Sequence, residues 1–72
     1  MFFMYIIWSK KLRKYYIGST KDVLNRVQEH NWGKATFTKK GIPWKLVYEE
    51  EFETKKEACK REYEVKRYKG GI

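Results

Sequence analysis

Residues 2–8 read Phe-Phe-Met-Tyr-Ile-Ile-Trp, and the chain soon returns to a similar pattern at Tyr15-Tyr16-Ile17, which is followed by Gly18. Short runs of aromatic and branched residues are typical of buried strands, and the first run suits a strand that is covered on both faces. The segment from Ser9 to Lys14 between them is polar and basic, as a turn requires. This stretch predicts two adjacent strands, the second of which ends at Gly18.

The rest of the chain predicts a helix, a strand and a second helix. Hydroxyls and a carboxylate at residues 19–22 favour a helix start, and a helix over about residues 21–31 places Val23, Leu24 and Val27 on one stripe. Residues 44–52 alternate, with Leu46 and Tyr48 on the face opposite Val47, and predict a third strand. A capping box at residues 54–57 opens a helix over about residues 54–69 that Gly70 and Gly71 stop.

The predicted order β-β-α-β-α indicates a small α/β (α+β) fold in which a three-stranded, mostly antiparallel sheet is flanked by helices. A chain of 72 residues forms one domain, here residues 1–72, and aromatic residues, 18% of the total, supply much of its core. Fold class and domain count thus follow from pattern and length alone.

Charge indicates the class of partner. The chain has seventeen Lys and Arg but nine Asp and Glu, which gives a formal net charge of +8. Such an excess of positive charge favours a polyanionic partner such as nucleic acid. A membrane is disfavoured because no single helix has a basic amphipathic face. The apolar run 2–8 is too short to span a bilayer and lacks the basic residues of a signal peptide. With Cys59 as the single cysteine, no intrachain disulfide can form, and a cytoplasmic location is expected.

The connection over residues 31–43 has little periodicity. It contains Lys34, Lys39 and Lys40 together with Trp32 and Phe37. A long connection without regular structure in a small domain is more often functional than idle.

Three sets of residues could carry chemistry, and each has a structural alternative. Glu62 falls on the same helical stripe as Ala58 and Val65, so its carboxylate either binds a cation or forms an exposed i, i+4 pair with Lys66. Arg26 and His30, four residues apart, either point together into a cleft or lie on the surface.

Tyr5 and Tyr16 share one face in any hairpin register that pairs odd with even positions. They either pack or take part in proton transfer. A Tyr that acts as a base needs its pKa lowered by about three units, which takes roughly 4 kcal/mol from a nearby cation or metal. One Cys and one His cannot make a zinc site, and a nucleophilic Cys59–His30 pair is disfavoured because Cys59 is expected to pack beside Ala58.

In order and spacing these residues resemble the GIY-YIG nuclease superfamily. Met4-Tyr5-Ile6 stands at the first motif and Tyr16-Ile17-Gly18 is the second motif unchanged. The segment from Gly18 to Val27 is similar to the nuclease domain of the bacterial excinuclease. Residues 37–39, 43–48 and 58–62 resemble small stand-alone members. The resemblance covers nearly the whole chain, although Met4 replaces the first Gly and the chain ends at Ile72, as a domain truncated at its C-terminus would.

The resemblance implies a metal-dependent endonuclease that hydrolyses DNA phosphodiesters, as in DNA repair or recombination. Glu62 would bind one divalent cation, Mg²⁺ or Mn²⁺, and Arg26 would hold the phosphate. Tyr5 would deprotonate the attacking water, Tyr16 would position water or phosphate, and His30 would accept a proton from the tyrosine or orient it.

Further expectations concern binding. Gly18 lets the backbone approach the site closely, and Lys21, Lys34, Lys39 and Lys40 are expected to contact phosphates. DNA is favoured over RNA, and the protein is expected to act as a monomer with a targeting partner or additional domain. The alternative functions are a noncatalytic nucleic-acid-binding module with the same fold and a protein-interaction adaptor.

Overall fold

The computed structural model describes residues 1–36 and 38–70, the last three of these by their backbone alone. Its elements are β1 (Phe2–Ser9), β2 (Lys14–Thr20), α1 (Val23–Asn31), a 3-10 helix (Lys39–Gly41), β3 (Trp44–Phe52) and α2 (Lys55–Gly70). The strands form one sheet in the order β2-β1-β3, and both pairings are antiparallel. The predicted α+β fold and its β-β-α-β-α order are confirmed. Phe37, Gly71 and the chain end at Ile72 lie outside the described residues.

The two helices lie on opposite faces of the sheet. Tyr5 and Ile7 on β1 form one hydrophobic cluster with Val23 of α1. The other face of β1 carries Met4, whose partners across the sheet are Ser19 and Glu50. Helix α2 contacts both partners, through Cys59 to Ser19 and Arg61 to Glu50. The central strand is therefore covered on both faces, as its sequence predicts.

The start of α1 and the end of β2 differ from the predicted bounds. β2 continues through Gly18 to Thr20, and α1 begins at Val23 instead of about Lys21. Asp22 is the N-cap, and its carboxylate accepts the Asn25 N–H at 3.1 Å. The hydroxyl and carboxylate signal was real, but it marks the residues before the helix, where caps lie.

Two predicted core positions are wrong. Leu24 is 75% exposed, because the buried face of α1 carries Val23, Val27 and His30 instead. Cys59 is a free, exposed thiol instead of a packing residue, since Ala58 alone occupies the buried position at that turn of α2.

The alternation predicted for β3 is also wrong, although the bounds of the strand are confirmed. Ile6 pairs with Tyr48 but Ile7 pairs with Leu46, so Val47 is an extra residue in the ladder. A bulge of this kind shifts the register, and Leu46 and Tyr48 therefore lie on opposite faces. Leu46 packs against the cluster beneath α1, whereas Tyr48 is 45% exposed.

The connection between α1 and β3 is ordered by polar contacts. The Asn31 side chain accepts the Trp44 N–H at 2.6 Å and donates to the Trp44 carbonyl at 3.0 Å. The indole N–H of Trp44 donates to the Thr38 carbonyl at 2.7 Å. These bonds hold the connection against the first strand residue and leave Thr38 buried. No described helix combines the length and apolar character needed to cross a membrane.

Candidate active site

The hairpin of β1 and β2 places two phenols side by side. Tyr5 pairs with Gly18 and Ile7 pairs with Tyr16, so odd positions meet even ones and Tyr5 and Tyr16 share a face. Their ring centroids are 6.4 Å apart. The predicted juxtaposition of the two tyrosines is confirmed.

Gly18 provides the space for the Tyr5 ring. A Cβ at residue 18 would lie 2.7 Å from the Tyr5 hydroxyl oxygen and 2.9 Å from Cζ. Real Cβ atoms essentially never come that close to another heavy atom. The ring of Tyr5, itself only 1% exposed, therefore lies directly over the backbone of its neighbouring strand.

His30 anchors the phenol. It is buried, and its Nε2 lies 3.0 Å from the Tyr5 hydroxyl oxygen while its Nδ1 lies 2.8 Å from Thr38 Oγ1. The Thr38 hydroxyl donates to the Ala35 carbonyl at 3.2 Å, so its oxygen accepts from Nδ1–H. In the neutral ring Nε2 then carries a lone pair and accepts the Tyr5 O–H. This arrangement aims the Tyr5 proton at a base.

The electrostatics keep both partners neutral in the absence of substrate. Burial raises the pKa of Tyr5 from 10.0 to about 12, and Arg26 opposes the rise only in part. Burial, followed by the nearby charge of Arg26, lowers the pKa of His30 below 6.5. A tyrosine that is ionised before the reaction needs a lowered pKa, whereas the pKa of Tyr5 is raised. Ionising a phenol of pKa about 12 at pH 7 would take about 7 kcal/mol.

Arg26 and His30 line one cavity, so of the two alternatives for this pair the structure has the shared cleft, although Arg26 also reaches the surface. The cavity has a volume of about 160 Å³ and is lined by Arg26, Glu29, His30, Lys34 and Ala35. Interaction with the Tyr5 hydroxyl is the largest cause of a raised Arg26 pKa. The Arg26 side chain is nevertheless 44% exposed, so it reaches from the buried phenol to solvent.

The sequence did not indicate two residues of this site. Glu29 binds Arg26 at 3.0 Å and Lys34 at 3.6 Å, and its i, i+3 spacing from Arg26 was the available signal. Thr38 orients His30 from the connection before β3, and its position in that connection gave no sign of the contact.

Glu62 lies at the edge of this group. Its side chain is 21% exposed, and Oε2 accepts from Lys66 Nζ at 2.6 Å. Its charge is the smallest of the causes that raise the pKa of Tyr5, so it acts on the phenol through space. The carboxylate is thus on the inward stripe of α2, as predicted, and also in the i, i+4 pair that was its alternative.

The lysines expected to contact phosphates occupy different surroundings. Lys21 lies 5.3 Å from the centre of the Phe2 ring. It lines a cavity of about 410 Å³ with Phe2, Ser19, Thr20 and Lys55. Lys34 is paired with Glu29, while Lys39 and Lys40 are exposed on the 3-10 helix.

Comparison with known proteins shows the family of the chain. A family model described as the GIY-YIG catalytic domain matches residues 1–70. UPF0213 proteins of Staphylococcus aureus strains Mu3 and N315 are each 56% identical over 54 residues, 74% of this chain and 66% of theirs. The chain therefore spans just under two thirds of those relatives' length.

A solved structure extends the comparison. The solution NMR structure of a UPF0213 protein from Bacillus halodurans is 39% identical, with a TM-score of 0.55 over 93% of this chain and 72% of that one. The family match covers the hairpin tyrosines, both helices and the inward Glu62. The chain therefore belongs to the GIY-YIG family of nucleases and is similar to UPF0213 proteins.

Proposed function

We propose that this protein is a divalent-metal-dependent endonuclease that hydrolyses DNA phosphodiester bonds and acts in DNA repair or recombination. The observation that carries the proposal is the Tyr5 hydroxyl, held 3.0 Å from His30 Nε2 and beside the guanidinium of Arg26. A buried phenol between a neutral base and a cation is the arrangement that proton transfer next to an anionic phosphate requires.

Proton movement follows from the two pKa shifts. Because the pKa of Tyr5 is about 12, it is a phenol at neutral pH, and it can act as a base only if its proton leaves as it takes another. The water proton passes to the Tyr5 oxygen while the Tyr5 proton passes to His30 Nε2. The water oxygen forms the new P–O bond, the P–O bond to the leaving sugar oxygen breaks, and solvent protonates that oxygen.

Arg26 and Tyr16 complete the polar part of the site. The exposed guanidinium of Arg26 binds a non-bridging phosphate oxygen and offsets the charge that grows there in the transition state. Glu29 holds the guanidinium in place at 3.0 Å. Tyr16, whose ring centroid is 4.9 Å from that of His30, positions the attacking water or the phosphate.

Glu62 is the candidate metal ligand, and its chemistry fits Mg²⁺ or Mn²⁺. The described residues contain no group of three His, Cys, Asp or Glu side chains that could enclose a metal. Mg²⁺ is commonly held by one or two carboxylates, with water and substrate phosphate as the other ligands. Glu62 could hold the ion in that way if the ion took the place of the Lys66 ammonium group at Oε2. The ion would neutralise phosphate charge and lower the pKa of bound water.

Substitution of the acid tests the metal-ligand assignment. Glu62→Ala should abolish Mg²⁺-dependent cleavage of a branched DNA and leave DNA binding intact. Glu64→Ala is a matched control, because Glu64 is on the same helix, is exposed and pairs with Arg61 at 3.6 Å. Equal cleavage by both variants would contradict the assignment.

A noncatalytic DNA-binding module is the second candidate, and the Glu62–Lys66 contact at 2.6 Å favours it. If that pair persists with DNA bound, no metal enters and the protein binds without cutting. Metal-dependent nicking separates the two functions. A monomer presents one such site and should nick a single strand.

A further inference from the structure

The two edges of the sheet carry opposite charge. At the β2 edge, the turn and first strand residue form what we call the basic hairpin, composed of Lys10, Lys11, Arg13 and Lys14. At the β3 edge, Glu49, Glu50 and Glu51 follow one another in the strand. Lys14 pairs with Ser9 at one end of β1, whereas Glu49–Glu51 pair with residues 3–5 near its other end. Since the sheet order is also β2-β1-β3, the two groups lie apart both across and along the sheet. An anionic partner is thus drawn to the β2 edge and repelled from the β3 edge.

The cations of the basic hairpin are available for a partner. All four residues are exposed, and none of them takes part in an ion pair with another described residue. Arg26, Lys34, Arg61 and Lys66, by contrast, each lie within 4.0 Å of a carboxylate. Like charges crowded into one turn repel each other, so a polyanion would relieve the repulsion.

The backbone of the turn is held at its base by two hydrogen bonds. The fully buried Ser9 hydroxyl accepts the Leu12 N–H at 3.0 Å and donates to the Gly41 carbonyl at 2.7 Å. The hairpin is thereby tied to the 3-10 helix beneath it. Because the backbone is already held, only the side chains have to be ordered when the hairpin binds a partner.

Arg13 has a backbone conformation that a side chain disfavours. Its φ is 55°, the left-handed region in which Gly or Asn is common and a long side chain is rare. The turn would form more easily with Gly, yet the chain has a cation there. Backbone strain of this type is concentrated at functional positions.

The geometry relates the basic hairpin to the candidate active site. Gly18, under the Tyr5 hydroxyl, is four residues along β2 from Lys14, or about 13 Å at 3.3–3.4 Å per residue. One DNA strand rises about 3.4 Å per nucleotide, so this distance spans roughly four nucleotides. At the other end of β2, Lys21 and Lys55 line the second cavity.

We propose that the basic hairpin binds the phosphate backbone of duplex DNA about four base pairs to one side of the bond that is cut, an inference that rests on the proposed nuclease function. Residues 10–14 contain no aromatic side chain, and the flanking rings of Trp8 and Tyr15 pack against each other with their centroids 4.6 Å apart. Single-strand binders, by contrast, present aromatic rings on which bases stack. The hairpin therefore contacts phosphates and positions the duplex without reading its sequence.

The test measures binding without cleavage. Affinity for a labelled 16-base-pair duplex is followed by fluorescence anisotropy in EDTA over a range of salt concentrations. In Lys10→Gln/Lys11→Gln, the slope of log K against log salt should become shallower by about 1.8, and binding near 0.1 M salt should weaken about tenfold or more.

Lys56→Gln/Lys60→Gln is the matched control. It removes the same charge from two exposed residues on the side of α2 away from the buried Ala58, and its slope should stay close to that of the unmodified protein. Equal losses in the two double variants, or no loss in either, would overturn the proposal. If the unmodified protein binds DNA and the hairpin variant binds it equally well, the proposed role of the hairpin is overturned but the nuclease function is not. If the unmodified protein does not bind DNA at all, both proposals are overturned.

Arg13→Gly separates binding from folding. The slope should become shallower by about 0.9, while the thermal midpoint stays the same or rises because the left-handed residue is then Gly. A lower midpoint with unchanged DNA binding would assign Arg13 a structural role. Loss of binding to anionic lipid vesicles, with DNA binding unchanged, would assign the surface to a membrane instead.

Discussion

The Gly18→Ala substitution tests how tightly the candidate site is packed. The added methyl carbon would lie 2.7, 2.9 and 3.0 Å from the hydroxyl oxygen, Cζ and Cε1 of Tyr5. To restore ordinary contact at about 3.4 Å, the ring must shift by roughly half an ångström or more, and the 3.0 Å contact with His30 Nε2 lengthens correspondingly.

The magnitude follows from two contributions. Overpacking a buried site typically destabilises by about 1–3 kcal/mol, and a weakened buried hydrogen bond adds about 1 kcal/mol. Gly18→Ala should therefore lower the free energy of unfolding by about 2–4 kcal/mol. Domains of this length have a total of about 4–11 kcal/mol, so the loss is large.

Urea unfolding followed by tryptophan fluorescence measures the effect, and a double-mutant cycle identifies its cause. Tyr5→Leu removes all three atoms that the methyl group would meet, so Gly18→Ala should cost much less in that background. Gly33→Ala is the contrasting control, because its φ is +81° and its nearest contact would be 3.6 Å, so backbone strain alone acts. A loss below about 0.5 kcal/mol, or an equal loss with Leu at residue 5, would refute the reasoning.

Three further predictions concern stability. Burial holds the pKa of His30 below 6.5, so as the pH falls the histidine of the unfolded chain is protonated before that of the folded protein. The free energy of unfolding should therefore decline below pH 6.5 until His30 of the folded protein is protonated too. Urea unfolding at a series of pH values measures this decline, which His30→Gln should flatten. Thr38→Val leaves the buried His30 Nδ1–H without its acceptor and should cost about 1–3 kcal/mol, whereas Thr38→Ser should retain most of the stability in the same assay. Thr54→Ala removes the acceptor of the Glu57 N–H at the start of α2 and should lower the free energy of unfolding by about 1 kcal/mol. A thermal midpoint close to that of the unmodified protein would contradict this prediction.

The sequence predicted those features that depend on local pattern. Tyr5 and Tyr16 share a face in every hairpin register that pairs odd-numbered with even-numbered residues, whichever of those registers the turn sets. The capping box was confirmed atom by atom, since the Thr54 N–H donates to Glu57 at 3.3 Å and the Glu57 N–H donates to Thr54 at 3.2 Å. Both signals depend on residues that are close in the chain, within one hairpin or within one helical turn.

The features that were missed depend on distant contacts. The bulge adds Val47 to the strand, so the residues on either side of it switch faces relative to a regular strand. The residue types around Val47 are those of an ordinary strand and do not reveal the bulge. The direction of the Tyr5 pKa shift is set by burial, which comes from the packing of two strands and a helix. The role of Thr38 joins residues 30 and 38 through a connection that has no periodicity.

Single-turnover cleavage of a branched DNA in Mg²⁺ by the Tyr5→Phe variant tests the central claim most directly. Phe keeps the ring over Gly18 and removes only the hydroxyl that faces His30 and Arg26. If the phenol relays the proton of the attacking water, the rate should fall at least about a hundredfold while DNA affinity stays the same. A rate within about threefold of the unmodified protein would contradict a chemical role for Tyr5.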